Sequence, residues 1–169
     1  MKTIIFSFFT LLMLGCSSTS LVTTEKSLPN VYVDVNGTYD VQKDVVVSLF
    51  RLNNYTDTPR AGMRSANILE GLLLTKGFRI KNHVSKEIYT FKKAKKEAKK
   101  DKSKYFIIGG VSEWRYKTGI DGEPAVSLQI SMYKTKSGRL QWSATGADSD
   151  WGNGSIGTTA QNLIQMMMK

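Results

Sequence analysis

Apolar and polar positions alternate most regularly in the last third of the chain. Val126, Leu128, Ile130 and Met132 alternate with Ser127, Gln129 and Ser131, and Leu140, Trp142 and Ala144 alternate with Gln141 and Ser143. Side chains on a strand point to opposite faces in turn, so both segments read as strands with one apolar and one small polar face. Thr135-Lys136-Ser137-Gly138 lies between them, with glycine available for positive φ, which predicts an antiparallel hairpin. Ile156, Ala160, Leu163, Ile164 and Met167 then form a helical stripe that must cover a sheet. Met166-Met167-Met168 reads as core filling at that helix end.

Upstream, Val45 to Phe50 is a β-branched run of strand length, followed by turn chemistry from Asn53 to Pro59. Thr58 and Pro59 are read as the N-cap and first position of a helix carrying Ala66, Leu69 and Leu73, closed by Gly77. Phe78 to Ile80 predicts a short strand, Ser85 to Lys102 a basic helix, and Tyr105 to Tyr116 a strand through Gly109-Gly110. That glycine pair precedes no helix and is not a phosphate loop. His83 is expected to cap or turn before the basic helix, and Trp114 and Trp142 to lie in the core or on a sheet face. The order is βαβαβββα, with a further short strand near Val31 to Val35 admitted. The fold class is α/β, a mixed sheet with helices packed on it.

The N-terminal segment is of another kind. Met1-Lys2, an apolar run from Ile4 to Leu14, and Gly15-Cys16 resemble a bacterial lipoprotein signal, cut before Cys16, whose sulfur and new amino group are acylated. The run is shorter than the ~20 residues of a membrane-spanning helix. Residues 1–15 are therefore expected to be removed. Residues 16–30 become the acylated terminus and a tether of up to roughly 45 Å, and residues 31–169 form one domain. Ser17 and Ser18 follow the cysteine, and by analogy with lipoprotein sorting they direct it to the outer membrane.

Composition removes several classes. One Cys and one His leave no metal cluster and no internal disulfide. No cofactor is expected beyond covalent lipid on Cys16. The net charge is +10, one unit of which leaves with Lys2. Much of the remainder sits in Lys92, Lys93, Lys95, Lys96, Lys99, Lys100, Lys102 and Lys104, interrupted by Glu97 and Asp101. Three readings stay open for that run: lipid headgroups, an anionic polymer, or a solvated helix face over Phe91, Ala94 and Ala98. Nucleic acid is not an expected partner of an exported protein. Asp121 and Glu123 share a Gly/Pro turn. Two opposed carboxylates in a sheltered cleft could cleave a glycan, but a short open turn offers no such cleft. Trp151, in a polar glycine-rich loop, is a candidate for a partner or bilayer contact, or packs over the neighbouring helix.

Asn54-Tyr55-Thr56-Asp57-Thr58-Pro59-Arg60-Ala61-Gly62, Glu113-Trp114-Arg115-Tyr116-Lys117, Gly119 to Val126, Ser137-Gly138 with Trp142-Ser143, and Trp151 together resemble the PelC family. These are lipoproteins of Pel exopolysaccharide secretion. The likeness spans most of residues 45–168. It implies a fold similar to the TolB N-terminal domain and to CsgG, and a ring of twelve on the periplasmic face of the outer membrane. It also implies a β-barrel exporter similar to PelB above the ring, and electrostatic guidance of a cationic amino-sugar polymer. Carried over by position, Asp121 matches the acid at the ring's opening, with Glu123 beside it, Trp151 the membrane-contacting aromatic, and Cys16 the acylated cysteine. The chain departs from the family in its basic helix, which must then face the inner leaflet, through Lys92, Lys93, Lys95, Lys96, Lys99 and Lys100, or the ring's outside. The alternative is an activator of a peptidoglycan synthase similar to LpoB, for which the tether looks short.

Overall fold

The computed structural model describes residues 31–37, 44–85, 89–117, 122–150 and 154–169. In chain order the elements are β1 (Val31–Gly37), β2 (Val46–Phe50), β3 (Asn53–Asn54), α1 (Ala61–Thr75), β4 (Arg79–His83), α2 (Phe91–Lys100), β5 (Tyr105–Tyr116), β6 (Pro124–Lys134), β7 (Leu140–Ser149) and α3 (Ile156–Met167). The strands form one seven-stranded sheet of order β1-β7-β6-β5-β2-β4, with β3 extending the β2 path alongside β5. Strands β2, β3 and β4 join in parallel, while β5, β6, β7 and β1 are antiparallel. This is the mixed sheet that the sequence pattern requires, with the admitted N-terminal strand present.

Alternation on the strands sorts side chains between two cores. Val47, Leu49, Ile107, Leu128, Ile130, Met132 and Trp142 face α1 and α3, where Leu69, Leu73, Leu163, Ile164 and Met167 close the larger core. Each such fully buried aliphatic side chain contributes about 2 kcal/mol relative to exposure. Phe50 and Phe106 point to the other face, against Ala94 and Ala98 of α2. Alanines at these two positions let the lysine-rich helix lie close to the sheet. Trp114 and Trp142 are buried as expected, and so are Met167 and Met168.

Three local expectations are corrected. Helix α1 does not begin at Thr58 and Pro59: Arg60, at φ 62°, is its N-cap and makes no side-chain cap. The Thr58 hydroxyl donates instead to the carbonyl of Trp114, 56 residues away. Helix α2 starts at Phe91, where Thr90 accepts from the Lys93 amide at 3.4 Å. His83 is not a cap. It ends β4, buried, stacked on Phe50 with ring centroids 4.8 Å apart.

Candidate functional site

Two of the longest motifs meet on the side of the sheet that α2 leaves open. Tyr55 continues β3 by donating its amide to Val111 at 2.9 Å. The next residues are folded by short-range side-chain bonds. Asn54 Oδ1 accepts from the amide of Thr56 at 3.0 Å and from its hydroxyl at 2.8 Å, while Asn54 Nδ2 donates to the Thr58 carbonyl at 2.8 Å. The Thr58 amide donates to the Thr56 hydroxyl at 3.1 Å. Asn and Thr compete for the backbone in this manner and so build rigid loops.

Beside this loop, β5 shifts register between Val111 and Glu113, a β-bulge of the kind that re-aims side chains near sites. Ser112 donates to the Ser127 hydroxyl across it at 2.9 Å. The Tyr55 ring lies against Gly110, where an added Cβ would approach within 2.8 Å of the ring. The result is a cleft of about 420 Å³ lined by Tyr55, Asp57, Ser112, Glu113, Trp114 and Ser127, among others. Tyr55 is 71% exposed. Arg115 Nε donates to Glu113 Oε1 at 2.9 Å, whereas Asp57 has no ion-pair partner among the described residues. Turn chemistry alone did not show this cleft. Its signal was the alternation Asn54, Thr56, Thr58, each able to bond its neighbour's backbone.

Glu123 lies at one end of the sheet, directly before β6. Asp121 is outside the described residues, as are Cys16 and Trp151. Glu123 is buried, with Lys117 Nζ 3.3 Å from its Oε2, and the Lys117 amide donates to the Glu123 carbonyl at 2.6 Å. Glu123 therefore closes the neck of the turn and carries a compensated charge. On the adjacent strand Asp148 is also buried. Burial, and then the neighbouring Asp150, push its carboxyl above the ordinary carboxylate range. A raised native pKa means stability that is complete below the unfolded value and lost as pH rises through the native one. Asp148→Asn is accordingly expected to raise the melting temperature at pH 7, with the gain shrinking toward zero in acid, as calorimetry across pH would register.

Lysines occupy the opposite end. Lys92, Lys95, Lys96 and Lys99 line a shallow groove of about 340 Å³ beside Phe91. Phe91 packs edge-on against Tyr133, and Lys95 reaches the 135–138 turn at Gly138. Lys134, Lys136 and Arg139 of that hairpin thus extend the basic surface beyond the helix. Lys93 and Lys100 are exposed on α2, and Lys100 is paired with Glu97 at 2.6 Å. Underneath, a buried polar cluster pins the helix end: Asp101 Oδ2 accepts from Ser48 Oγ at 2.6 Å and from His83 Nε2 at 2.7 Å, and Ser103 lies 2.8 Å from Ser48. The sequence reading did not connect these residues.

Register fixes how the ends relate. Val31 pairs with Asp148, Ala125 with Ser149, and Tyr116 with Pro124. Val31, Tyr116, Pro124 and Ser149 therefore share one end of the sheet. The 135–138 turn is at the other, roughly 30 Å away along β7.

No protein-family model and no curated protein matches the chain. Among solved structures, it is similar to the PelC dodecamer from Paraburkholderia phytofirmans, with 30% identity and a TM-score of 0.71 over 82% of this chain and 94% of that one. It is also similar to a leucine-to-methionine variant of that dodecamer, with 28% identity and a TM-score of 0.72 over 81% and 96%. The LpoB C-terminal domain from Escherichia coli aligns at 18% identity and a TM-score of 0.50, over 66% of this chain and 87% of that one. That likeness carries the fold alone.

Proposed function

The chain belongs to the PelC family, and from that membership we infer that it is a non-enzymatic outer-membrane lipoprotein supporting export of an exopolysaccharide. It is acylated at Cys16 and held on the periplasmic face. Copies of it form a ring, of twelve by likeness to the PelC dodecamer, beneath a β-barrel exporter similar to PelB, and guide a cationic polymer electrostatically.

The observation that carries this reading is the agreement with PelC across most of both chains. The polarity of the sheet supports it. The end of the sheet at which β1 begins with Val31 is also the end where Tyr116 pairs with Pro124 and Ala125 with Ser149. One orientation, with strands upright on the bilayer, turns the Val31 and Ser149 end of the sheet toward the membrane. Lys92, Lys93, Lys95, Lys96, Lys99 and Lys100 then face the periplasm. Their contact with lipid headgroups belongs to a second arrangement, in which the strands lie along the membrane. Activation of a peptidoglycan synthase, the alternative suggested by LpoB, has no support beyond shared architecture.

A ring of loop acids concentrates negative charge where a polycation passes. Since Glu123 is compensated by Lys117, Asp121 carries the larger share of this role. Asp121→Lys is expected to abolish polymer release into the medium while the detergent-extracted oligomer keeps its mass. Secretion at the native level in that variant would overturn the electrostatic reading.

A further inference from the structure

We propose that the cleft under Tyr55 is a subsite for an amino-sugar residue, holding the sugar face against the tyrosine ring and its ammonium group against Asp57 and Glu113. This deepens the export reading and rests on it for the identity of the ligand, a glycan bearing free amines. The chemistry itself comes from the cleft. Tyr55 is 71% exposed, far more than the packing of its own loop requires, and the Cδ2–Cε2 edge of its ring lies against Gly110. A rigid exposed ring offers a face to the C–H groups of a pyranose, and its π-system attracts a cation.

The cleft lining carries two carboxylates, Asp57 and Glu113, against one cation, Arg115. Asp57 has no ion-pair partner among the described residues, and Glu113 shares its charge with Arg115 at 2.9 Å. Ser112 and Ser127 supply hydroxyls on the opposite wall, 2.9 Å from each other. The buried indole Nε1 of Trp114, a lining residue, has no hydrogen-bond partner among the described residues. At about 420 Å³ the cleft lies in the size range of small-ligand sites, and its polar lining suits a hydroxyl-rich sugar unit. A carboxylate bonding an ammonium group forms a charge-assisted hydrogen bond, stronger than one between neutral groups. N-acetylation removes that charge, so the cleft should distinguish deacetylated from acetylated residues.

The test uses the full chain in detergent, titrated calorimetrically with a glucosamine tetramer and with its fully N-acetylated counterpart. The glucosamine tetramer is expected to bind at least fivefold more tightly than the acetylated one. Tyr55→Ala should weaken both at least tenfold. Asp57→Asn should weaken only the glucosamine tetramer and so erase the preference. Binding of neither tetramer at millimolar concentration, or unchanged affinities in Tyr55→Ala, overturns the proposal. So does a Tyr55→Ala variant that alters only the oligomer mass, since the cleft would then be a contact between copies. The export reading is judged separately by Asp121→Lys. Failure of the tetramers to bind, with secretion still dependent on Asp121, removes the subsite and leaves that reading standing.

Discussion

Gly62→Ala is expected to destabilise the protein by about 3 kcal/mol, the upper range for forcing atoms into a filled core. The second residue of α1 lies so close to the β2–β3 connection that a Cβ would stand 1.9 Å from the Leu52 carbonyl oxygen and 2.9 Å from its carbon. Both obstacles are backbone, so no rotamer change relieves the overlap. The helix must move away from Leu52, and Leu69 and Leu73 with it, or the loop that carries Tyr55 must shift. Urea denaturation would show the loss as a lower midpoint. Retention of the native midpoint would mean that α1 starts farther from β2 than described.

Asp101→Ala is expected to cost about 3 kcal/mol, the upper range for a hydrogen bond to a charged group, because the carboxylate accepts from both Ser48 and His83. Burial alone would raise the Asp101 carboxyl, but the hydrogen bonds from Ser48 and His83 outweigh it and hold the carboxyl below its ordinary range. A depressed native pKa gives stability that is present above the unfolded value, about 3.9, and disappears as pH falls through the native one. The native protein should therefore lose stability steeply in acid, and the variant should show a shallower acid limb. Denaturation midpoints across pH 2–7 compare the two, and parallel limbs would refute the assignment.

What the residues reveal by themselves depends on how local the governing contact is. β6, β7 and α3 were legible because their apolar periods report burial against a sheet, whereas the capping box of Ser155 with Thr158 that starts α3 emerged only with the structure. The start of α1 was not. A non-glycine residue at positive φ, Arg60, sets it, and the hydroxyl that would have capped a longer helix is drawn to Trp114 across the sheet. His83 and Asp101 are 18 positions apart and meet only when α2 returns over β2. Glu123 looked like an open loop acid because turn chemistry says nothing of Lys117 opposite it. The cleft was half legible: both motifs that form it stood out, and only the pairing of β3 with β5 brings them together.

The separation of acidic and basic ends bears on how a cationic glycan would experience a protein of net charge +10. At physiological ionic strength the screening length is about 8 Å, so a monomer unit at the Pro124 and Ser149 end of the sheet lies several such lengths from the 135–138 turn that Lys95 reaches. The ion atmosphere hides that basic end from it. The field met there comes from nearby carboxylates, and isoelectric point is a poor guide to which polyelectrolyte this surface admits.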